Sequence, residues 1–311
     1  MKSFVSVFAF SIVLSFLAVL AAERETPLHS NPDIPLLTVL LDLDRPLYDR
    51  DTLERARTAA LRLTGRVDSC NEASGKRGVE CALEAVLHGI TATPLSDPQV
   101  ETSTVTAALI HGRGTCAALV AVALALTAHP EPLFEAVVLR EHVLLGTVDG
   151  MDRYFETIEA GRRLSGSDLY RYKPWPPGGP VRVKASDYPA YYADNIAVRL
   201  ANAGQSDLAR QFFEESISIA PSAARVRFNF GTFLLGTERY TEAEAELARA
   251  IRLGWKDAPA FVNRGAARWQ LGRLKAAERD FRKALKLAPE NREAAVNLRR
   301  LESDTCSPSS N

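Results

Sequence analysis

The segments ARQFFEESISIAP (209–221), AEAELARAIRL (243–253) and AERDFRKALKLAP (277–289) repeat one pattern along the last third of the chain. Each is amphipathic with apolar residues at helical spacing, and each begins 34 residues after the one before. Other small and aromatic positions keep the same step: Ala197, Gly231 and Gly265, and Phe213, Leu247 and Phe281. A fixed period over several positions predicts a stack of helical hairpins, with small residues where paired helices touch.

This period and these residue types resemble the tetratricopeptide repeat. The resemblance implies an all-α region over 190–304, made of three repeats and a capping helix and followed by a polar tail, with the boundaries 190–223, 224–257, 258–291 and 305–311. Gly204 and Gly272 mark the turn inside the first and third repeats, whereas Glu238 takes that place in the second, so its turn departs from the pattern. Such stacks form a concave surface, so both a protein partner and a purely structural role stay open.

The chain begins with MKSFVSVFAFSIVLSFLAVLAA (1–22), in which one cation precedes an uncharged apolar stretch. This pattern predicts a secretory signal peptide and an exported protein, either periplasmic or secreted. The stretch approaches the length that spans a bilayer, so an uncleaved N-terminal anchor is the alternative. We expect membrane association only in that case.

Charge and cysteine content narrow the possible partners. The 38 Lys and Arg residues balance 38 Asp and Glu residues, so there is no basic field of the kind that captures nucleic acid. In an oxidising compartment the cysteines could form two disulfides, with three possible pairings. The neighbouring Cys70 and Cys81 are expected to form a disulfide that leaves Cys116 free; a bridge at Cys116 is the alternative, and it would remove the nucleophile. The histidines and cysteines lack metal-ligand spacing, and no phosphate-binding glycine loop is present. We therefore expect no cofactor, no metal and no nucleic-acid partner.

Three residues occur in the order of a thiol-enzyme triad. They are Cys116 in GRGTC (112–116), before the apolar run ALVAVALALTAH (118–129), His142 in the β-rich run VVLREHVLLGTV (137–148), and Glu156 in the strand-like YFETI (154–158). A thiol at a helix start lies among free N–H groups and the positive end of the helix dipole, which favour a thiolate and an oxyanion. A base on one strand and a carboxylate on the next complete a workable catalytic layout.

Each of these residues also has a purely structural interpretation. A buried cysteine is usually a small apolar residue, and a strand histidine is usually a packed one. Their joint order favours the catalytic interpretation. If it is correct, strand alternation predicts that His142 and Leu144 face the helix of Cys116 while Val143 points away.

At these residues a second resemblance is visible. GRGTCAAL, REHVLLG and YFETIEAGRRLSGSDLY are similar to the three motifs of bacterial transglutaminase-like proteins. The resemblance implies a papain-type thiol-enzyme core in which Cys116 is the nucleophile, His142 the base and Glu156 the acidic partner. Gly161 matches the glycine that follows the acidic residue in that motif, whereas Thr115 replaces the asparagine often found before the cysteine.

The resemblance sets the expected domains. Helices followed by strands predict an α+β fold for a transglutaminase-like domain over 35–172. The proline-rich KPWPPGGPVRVKASDYP (173–189) then connects it to the repeats.

Two functions follow from the sequence. The first is an exported thiol-dependent hydrolase or acyltransferase that acts on an amide or peptide bond of a peptide or protein substrate. The second is a non-catalytic exported adaptor that binds a peptide or protein through its repeats.

Overall fold

The computed structural model describes residues 35–71, 76–87, 91–92, 104–127, 132–140, 142–149, 153–159, 161–165, 167–173 and 175–306. The predicted signal peptide (1–22) and most of the predicted tail lie outside these residues. Within them, every helix is too short or too polar to cross a membrane.

The N-terminal part is built around one buried helix. Its helices are α1 (Pro35–Asp44), α2 (Arg50–Asn71), α3 (Lys76–Leu87), α4 (Val105–His111) and α5 (Cys116–Leu126). The sequence of α5, CAALVAVALAL, is apolar along its whole length, and all of its residues are buried. A helix that is apolar on every side is stable only when it is surrounded, so the other elements pack around α5.

A small antiparallel sheet lies against α5. Its strand order is β6-β5-β4-β3-β7, and the strands are β3 (Phe134–Val138), β4 (Val143–Thr147), β5 (Tyr154–Glu156), β6 (Arg162–Leu164) and β7 (Val181–Val183). Val143 and Phe155 belong to the core that contains α5, whereas Leu144 and Leu164 pack on the other face with Leu169. Leu169 belongs to a short 3-10 helix, Asp168–Tyr172. A separate parallel pair, β1 (Thr91–Ala92) and β2 (Arg113–Gly114), leads into α5.

The C-terminal part is a stack of antiparallel helix pairs. The pairs are α6 (Tyr188–Asn202) with α7 (Ser206–Ile219), α8 (Ala224–Gly236) with α9 (Tyr240–Arg252), and α10 (Ala258–Gln270) with α11 (Leu274–Leu287), followed by α12 (Arg292–Cys306). Ala209, Ala243 and Ala277 are fully buried at the helix contacts. A Cβ at Gly231 would lie 2.7 Å from Leu247 Cγ, which explains the small residue there. The predicted helical hairpins are confirmed.

The turns within the three pairs share one backbone conformation. Gly204 and Gly272 have φ of 78° and 70°, and Glu238 has φ of 62° at the equivalent position. The prediction that the second turn departs from the pattern is therefore wrong for the backbone, although it holds for the residue type. Glu238 adopts a left-handed conformation that side chains other than glycine seldom take.

The first repeat helix, α6, belongs to the core of the N-terminal part as well. The Tyr188 hydroxyl donates to the carbonyl of Ala117 on α5 at 3.0 Å. The Tyr192 hydroxyl donates to the buried carboxylate of Asp44 on α1 at 2.6 Å and accepts from the N–H of Val105. Burial raises the pKa of Asp44 to about 6, although hydrogen bonds from Thr106 and Tyr192 act in the opposite direction. One apolar core consequently runs from α1 through α5 into the repeats.

The predicted fold class is wrong. Most of the described residues are helical, and the described strands form only a small sheet beside α5 and one two-residue pair, so the structure does not show a papain-type α+β domain. The physical reason is that the N-terminal helices bury their apolar faces on α5 and on the repeat helix α6. The segment 173–189, predicted as a connection, contributes β7 to the sheet and the first residues of α6.

Candidate functional site

Cys116 is the first residue of α5 and is reached through a tightly packed turn. Gly114 precedes it with almost no space for a side chain, because a Cβ there would lie 3.1 Å from Ala108 Cβ and 3.2 Å from Leu119 Cδ2. Thr115 is extended and forms the N-cap of the helix. Cys116 itself is a free thiol that is only 5% exposed.

Two cysteines of the N-terminal helices are paired. Cys70 at the end of α2 and Cys81 in α3 form a disulfide, with Cα atoms 5.6 Å apart. The predicted pairing is therefore confirmed, and Cys116 is a free thiol as expected.

His142 and Glu156 are placed by two neighbouring strands. His142 closes the β3–β4 hairpin, where its carbonyl accepts from the N–H of Leu139 at 2.8 Å. Glu156 ends β5, which pairs with β4. The turn after Glu156 is closed by a 2.9 Å hydrogen bond from the N–H of Gly161 to the Glu156 carbonyl. Gly161 has φ of 81°, and a Cβ there would overlap Leu83, so this turn requires glycine.

The structure brings the three predicted residues together. His142 Nε2 lies 2.8 Å from Glu156 Oε2 and 3.0 Å from Oε1. Nε2 faces the carboxylate, and the Cys116 thiol is close enough to the same imidazole to raise its pKa. The N–H of Ile158 donates to Glu156 Oε1 at 3.2 Å. These three residues, Cys116, His142 and Glu156, are called the thiol site below.

The electrostatics of the thiol site favour a charged imidazole. Burial lowers the pKa of His142, but hydrogen bonds and charges from Cys116 and Glu156 outweigh burial and raise this pKa to about 10. Burial acts upwards on the pKa of Glu156, yet hydrogen bonds from His142, Tyr172 and Ile158 lower it overall. An imidazolium between a thiol and a carboxylate at neutral pH is the arrangement that activates a cysteine nucleophile.

The predicted direction of the strand faces is wrong. Val143 packs in the core with α5, whereas Leu144 lies on the other face of the sheet. His142 lies just before β4, outside the strand, so strand alternation does not fix the direction of its side chain. Its ring lies near the thiol at the end of the sheet. His111, five residues before Cys116 in the sequence, is exposed at the end of α4.

Tyr172 is a fourth member of this cluster that the sequence did not reveal. Its ring stacks on the His142 ring, with centroids 4.8 Å apart and planes 12° from parallel. Its hydroxyl donates to Glu156 Oε2. It is the last residue of the 3-10 helix, and no local motif marks it, because the contact depends on how the chain folds back after β6.

The hairpin that carries His142 also contacts the repeats. Arg140 Nη2 donates to Asp257 Oδ2 at 2.8 Å, and the Arg140 guanidinium lies 5.8 Å from the centroid of the Trp255 ring. Trp255 in turn stacks on Phe228 of α8. The hairpin that carries His142 and the repeat stack are therefore joined by direct side-chain contacts.

A second candidate site is a groove on the repeats. It has a volume of about 400 Å³ and lies between α6, the start of α7 and α8. We call it the repeat groove. It is lined by Val198, Ala201, Asn202, Ser206, Phe213, Asn229, Thr232, Phe233, Gly236 and Thr237. Apolar walls with a few amides and hydroxyls are typical of peptide-binding surfaces.

Asparagine recurs at one position of the repeat. Asn195, Asn229, Asn263 and Asn297 are separated by 34 residues each and are half-buried on α6, α8, α10 and α12. Asn229 donates to Asp194 on α6, and Asn263 donates to Thr232 on α8, so the amides connect the first helices of consecutive repeats. Reading polar residues at the 34-residue step would have revealed this row from the sequence.

Among the described residues, no group of three or more His, Cys, Asp or Glu side chains is arranged to hold a metal ion.

Comparisons with known proteins identify the repeats. Residues 258–291 match the family described as "Tetratricopeptide repeat", which are the boundaries predicted for the third repeat. The chain is 32% identical over 107 residues to RNA polymerase II-associated protein 3 of Xenopus tropicalis, covering 34% of this chain and 16% of that protein. It is 33% identical over 86 residues to human serine/threonine-protein phosphatase 5, covering 28% of this chain and 17% of that protein. The chain thus spans less than a fifth of the length of these relatives.

Similar solved structures are also repeat proteins. The first repeat domain of Spaghetti (RPAP3) bound to an HSP90 peptide has a TM-score of 0.37 and 24% identity, and covers 38% of this chain and 94% of that one. The second such domain of human RPAP3, in complex with an HSP70 peptide, has a TM-score of 0.35 and 28% identity, over 36% of this chain and 94% of that one. The family match at residues 258–291 supports the C-terminal repeats, whereas no transglutaminase-like domain is shown.

Proposed function

We propose that the protein binds an extended segment of a peptide or protein in its repeat groove. The observation that carries this proposal is the groove itself, in which apolar walls from Val198, Phe213 and Phe233 flank polar groups from Asn229 and Thr232. The apolar walls suit side chains, and the amide oxygen of Asn229 is an acceptor that a peptide N–H would use. The match to the repeat family and the sequence relatives support the same function.

A pair of charge substitutions tests this function. Thr232 is exposed on the groove wall, whereas Lys283 is exposed on α11 outside it. The full-length protein is applied to an array of synthetic twelve-residue peptides of varied sequence. We expect Thr232→Glu to weaken the binding of retained peptides at least about tenfold, because it places an unpaired charge against apolar walls. Lys283→Glu should leave binding unchanged. Equal binding by both variants, or no retained peptide, would contradict the proposal.

A second function, thiol chemistry at Cys116, is supported by the contacts of the thiol site. We propose that the Cys116 thiolate attacks the carbonyl carbon of an amide and forms a carbon–sulfur bond. The His142 imidazolium gives its proton to the amine nitrogen as the carbon–nitrogen bond breaks, which leaves a thioester. Water then adds to the thioester carbon and loses a proton to His142, and the carbon–sulfur bond breaks to release a carboxylic acid. Glu156 keeps the imidazole oriented throughout.

Measurements of turnover and of peptide binding on the same variants distinguish the two proposed functions. A library of fluorogenic dipeptide amides serves as substrate, and peptide binding is measured on the same preparations. We expect Cys116→Ala to abolish turnover while leaving binding in the repeat groove intact, and Cys306→Ser to change neither. Turnover that persists in Cys116→Ala rejects the thiol chemistry and leaves the binding function standing.

We also propose that the protein is exported. The Cys70–Cys81 disulfide supports this location, because such bonds persist mainly in oxidising compartments. Cell fractionation of the full-length protein and sequencing of its mature N-terminus test the proposal. Recovery from the cytosol with the disulfide reduced would contradict it.

A further inference from the structure

Tyr172 touches both partners that activate the thiol. Its ring covers the His142 imidazole in a stack 12° from parallel, and its hydroxyl donates to Glu156 Oε2. The same oxygen lies 2.8 Å from His142 Nε2. A rotation of the imidazole about its bond to Cβ would therefore break both the stack on Tyr172 and the contact of Nε2 with Glu156.

The segment that carries Tyr172 is held by its own contacts. Leu169 is buried against Leu144 and Leu164 on the outer face of the sheet. The Trp175 indole N–H donates to the Leu169 carbonyl at 3.2 Å, and the N–H of Ser165 donates to Asp168 at 2.8 Å. The position of Tyr172 is therefore fixed without help from His142 or Glu156.

We propose that Tyr172 is a positioning residue of the thiol site, which keeps the imidazole of His142 aligned between Glu156 and Cys116. This inference rests on the thiol chemistry proposed above. Loss of the Tyr172 ring leaves the imidazole free to turn, so the thiolate is no longer paired with an imidazolium at low pH. Loss of the hydroxyl alone removes one of the donors that hold the carboxylate.

Other charged groups near the cluster must be considered in a pH experiment. The charges of Glu159 and Arg162, in the β5–β6 hairpin, affect the pKa of Tyr172. The charge of Cys116 contributes to the raised pKa of Tyr188 on α6. Arg225 on α8 acts on the pKa of Tyr188 in the opposite direction. None of these groups changes in the variants below, so differences between the variants report on Tyr172.

The test is the rate at which iodoacetamide alkylates Cys116, measured between pH 5 and pH 10 by site-resolved mass spectrometry of the full-length protein. We expect Tyr172→Leu to move the midpoint of the rate profile up by about one pH unit, which reduces the rate about tenfold at pH 6. Tyr172→Phe keeps the stack and should move the midpoint by about half a unit, or about threefold in rate. The rates at pH 10 should agree in all proteins. A merely structural role would alter the free energy of unfolding without moving the midpoint.

Tyr170→Phe is the matched control, because Tyr170 lies on the same short helix but is 60% exposed and packs on Trp175. It should behave as the wild type does. If Tyr172→Leu does not fold, Tyr172→Phe alone decides, and a wild-type profile in that variant overturns the proposal. A wild-type protein whose Cys116 reacts at pH 6 no faster than in the unfolded chain overturns the thiol chemistry and this inference together.

Discussion

Arg140 and Asp257 form a 2.8 Å ion pair across 117 residues of sequence, between the β3–β4 hairpin that carries His142 and the N-cap of α10. Both side chains are largely buried, and Asp257 also caps α10 by accepting from the N–H of Ala260 at 3.0 Å. The pair therefore attaches the hairpin of the candidate base to the repeat stack.

A double-mutant cycle measures this attachment. Arg140→Gln and Asp257→Asn are each expected to destabilise the protein, and Asn at position 257 still caps the helix. The coupling between them should be about 1–2 kcal/mol, because the hydrogen bond is charge-assisted and poorly solvated. Urea denaturation of the two single variants and the double variant gives this value. Additive effects of the two substitutions would show that the hairpin is held by other contacts.

Two glycine substitutions should change the free energy of unfolding in opposite directions. Gly231→Ala places a methyl group against Leu247, so we expect the free energy of unfolding to fall by about 1–3 kcal/mol. Gly65→Ala adds the same methyl group on an exposed face of α2 with nothing within 4 Å, and should raise the free energy of unfolding by about 1 kcal/mol. Thermal or chemical denaturation distinguishes these outcomes. A stabilised Gly231→Ala protein would be incompatible with the close contact of α8 and α9.

The left-handed turn at Glu238 offers a stabilising substitution. Glu238→Gly should raise the free energy of unfolding by about 1 kcal/mol, because glycine adopts φ of 62° without strain. Glu215→Gly, in the exposed helical part of α7, is the control and should lower it by about 1 kcal/mol. Equal destabilisation by both substitutions would indicate that the backbone at Glu238 is not left-handed.

The charge of His142 should make stability depend on pH. Its pKa is about 10 in the fold against 6.5 as the ordinary value, so the folded state binds the proton more tightly. The stabilisation from the imidazolium is then fully present below about pH 6.5 and is lost as the pH rises through about 10. The unfolding free energy of the wild type minus that of His142→Gln, measured across this range, should decrease steadily with pH. A difference that is independent of pH contradicts a protonated His142.

The repeats could be predicted from sequence because their determinants are local. Ala209, Ala243 and Ala277 keep a 34-residue step, and each unit buries them in the same way. The proximity of Cys116, His142 and Glu156 could be predicted from their order along a helix and two strands. The row of asparagines keeps the same 34-residue step and is predictable from it in the same way.

The features that could not be predicted from the sequence depend on packing between distant segments of the chain. Tyr172 reaches His142 only because the segment after β6 folds back across the sheet, and no short motif encodes that path. The face of Leu144 was predicted wrongly because the sheet presents its other face to α5. The helical fold was missed because the sequence does not say that Tyr188 and Tyr192 of the first repeat bond to the N-terminal helices.

The burial of α6 gives the repeat array one fixed end and one open end. Another helical pair placed before α6 would break the hydrogen bonds of Tyr188 and Tyr192 with α5 and α1. A 34-residue unit inserted between α11 and α12 would leave those bonds, and the link between Arg140 and Asp257, in place. Lengthening of the array, by evolution or by engineering, therefore proceeds in one direction only, away from Cys116.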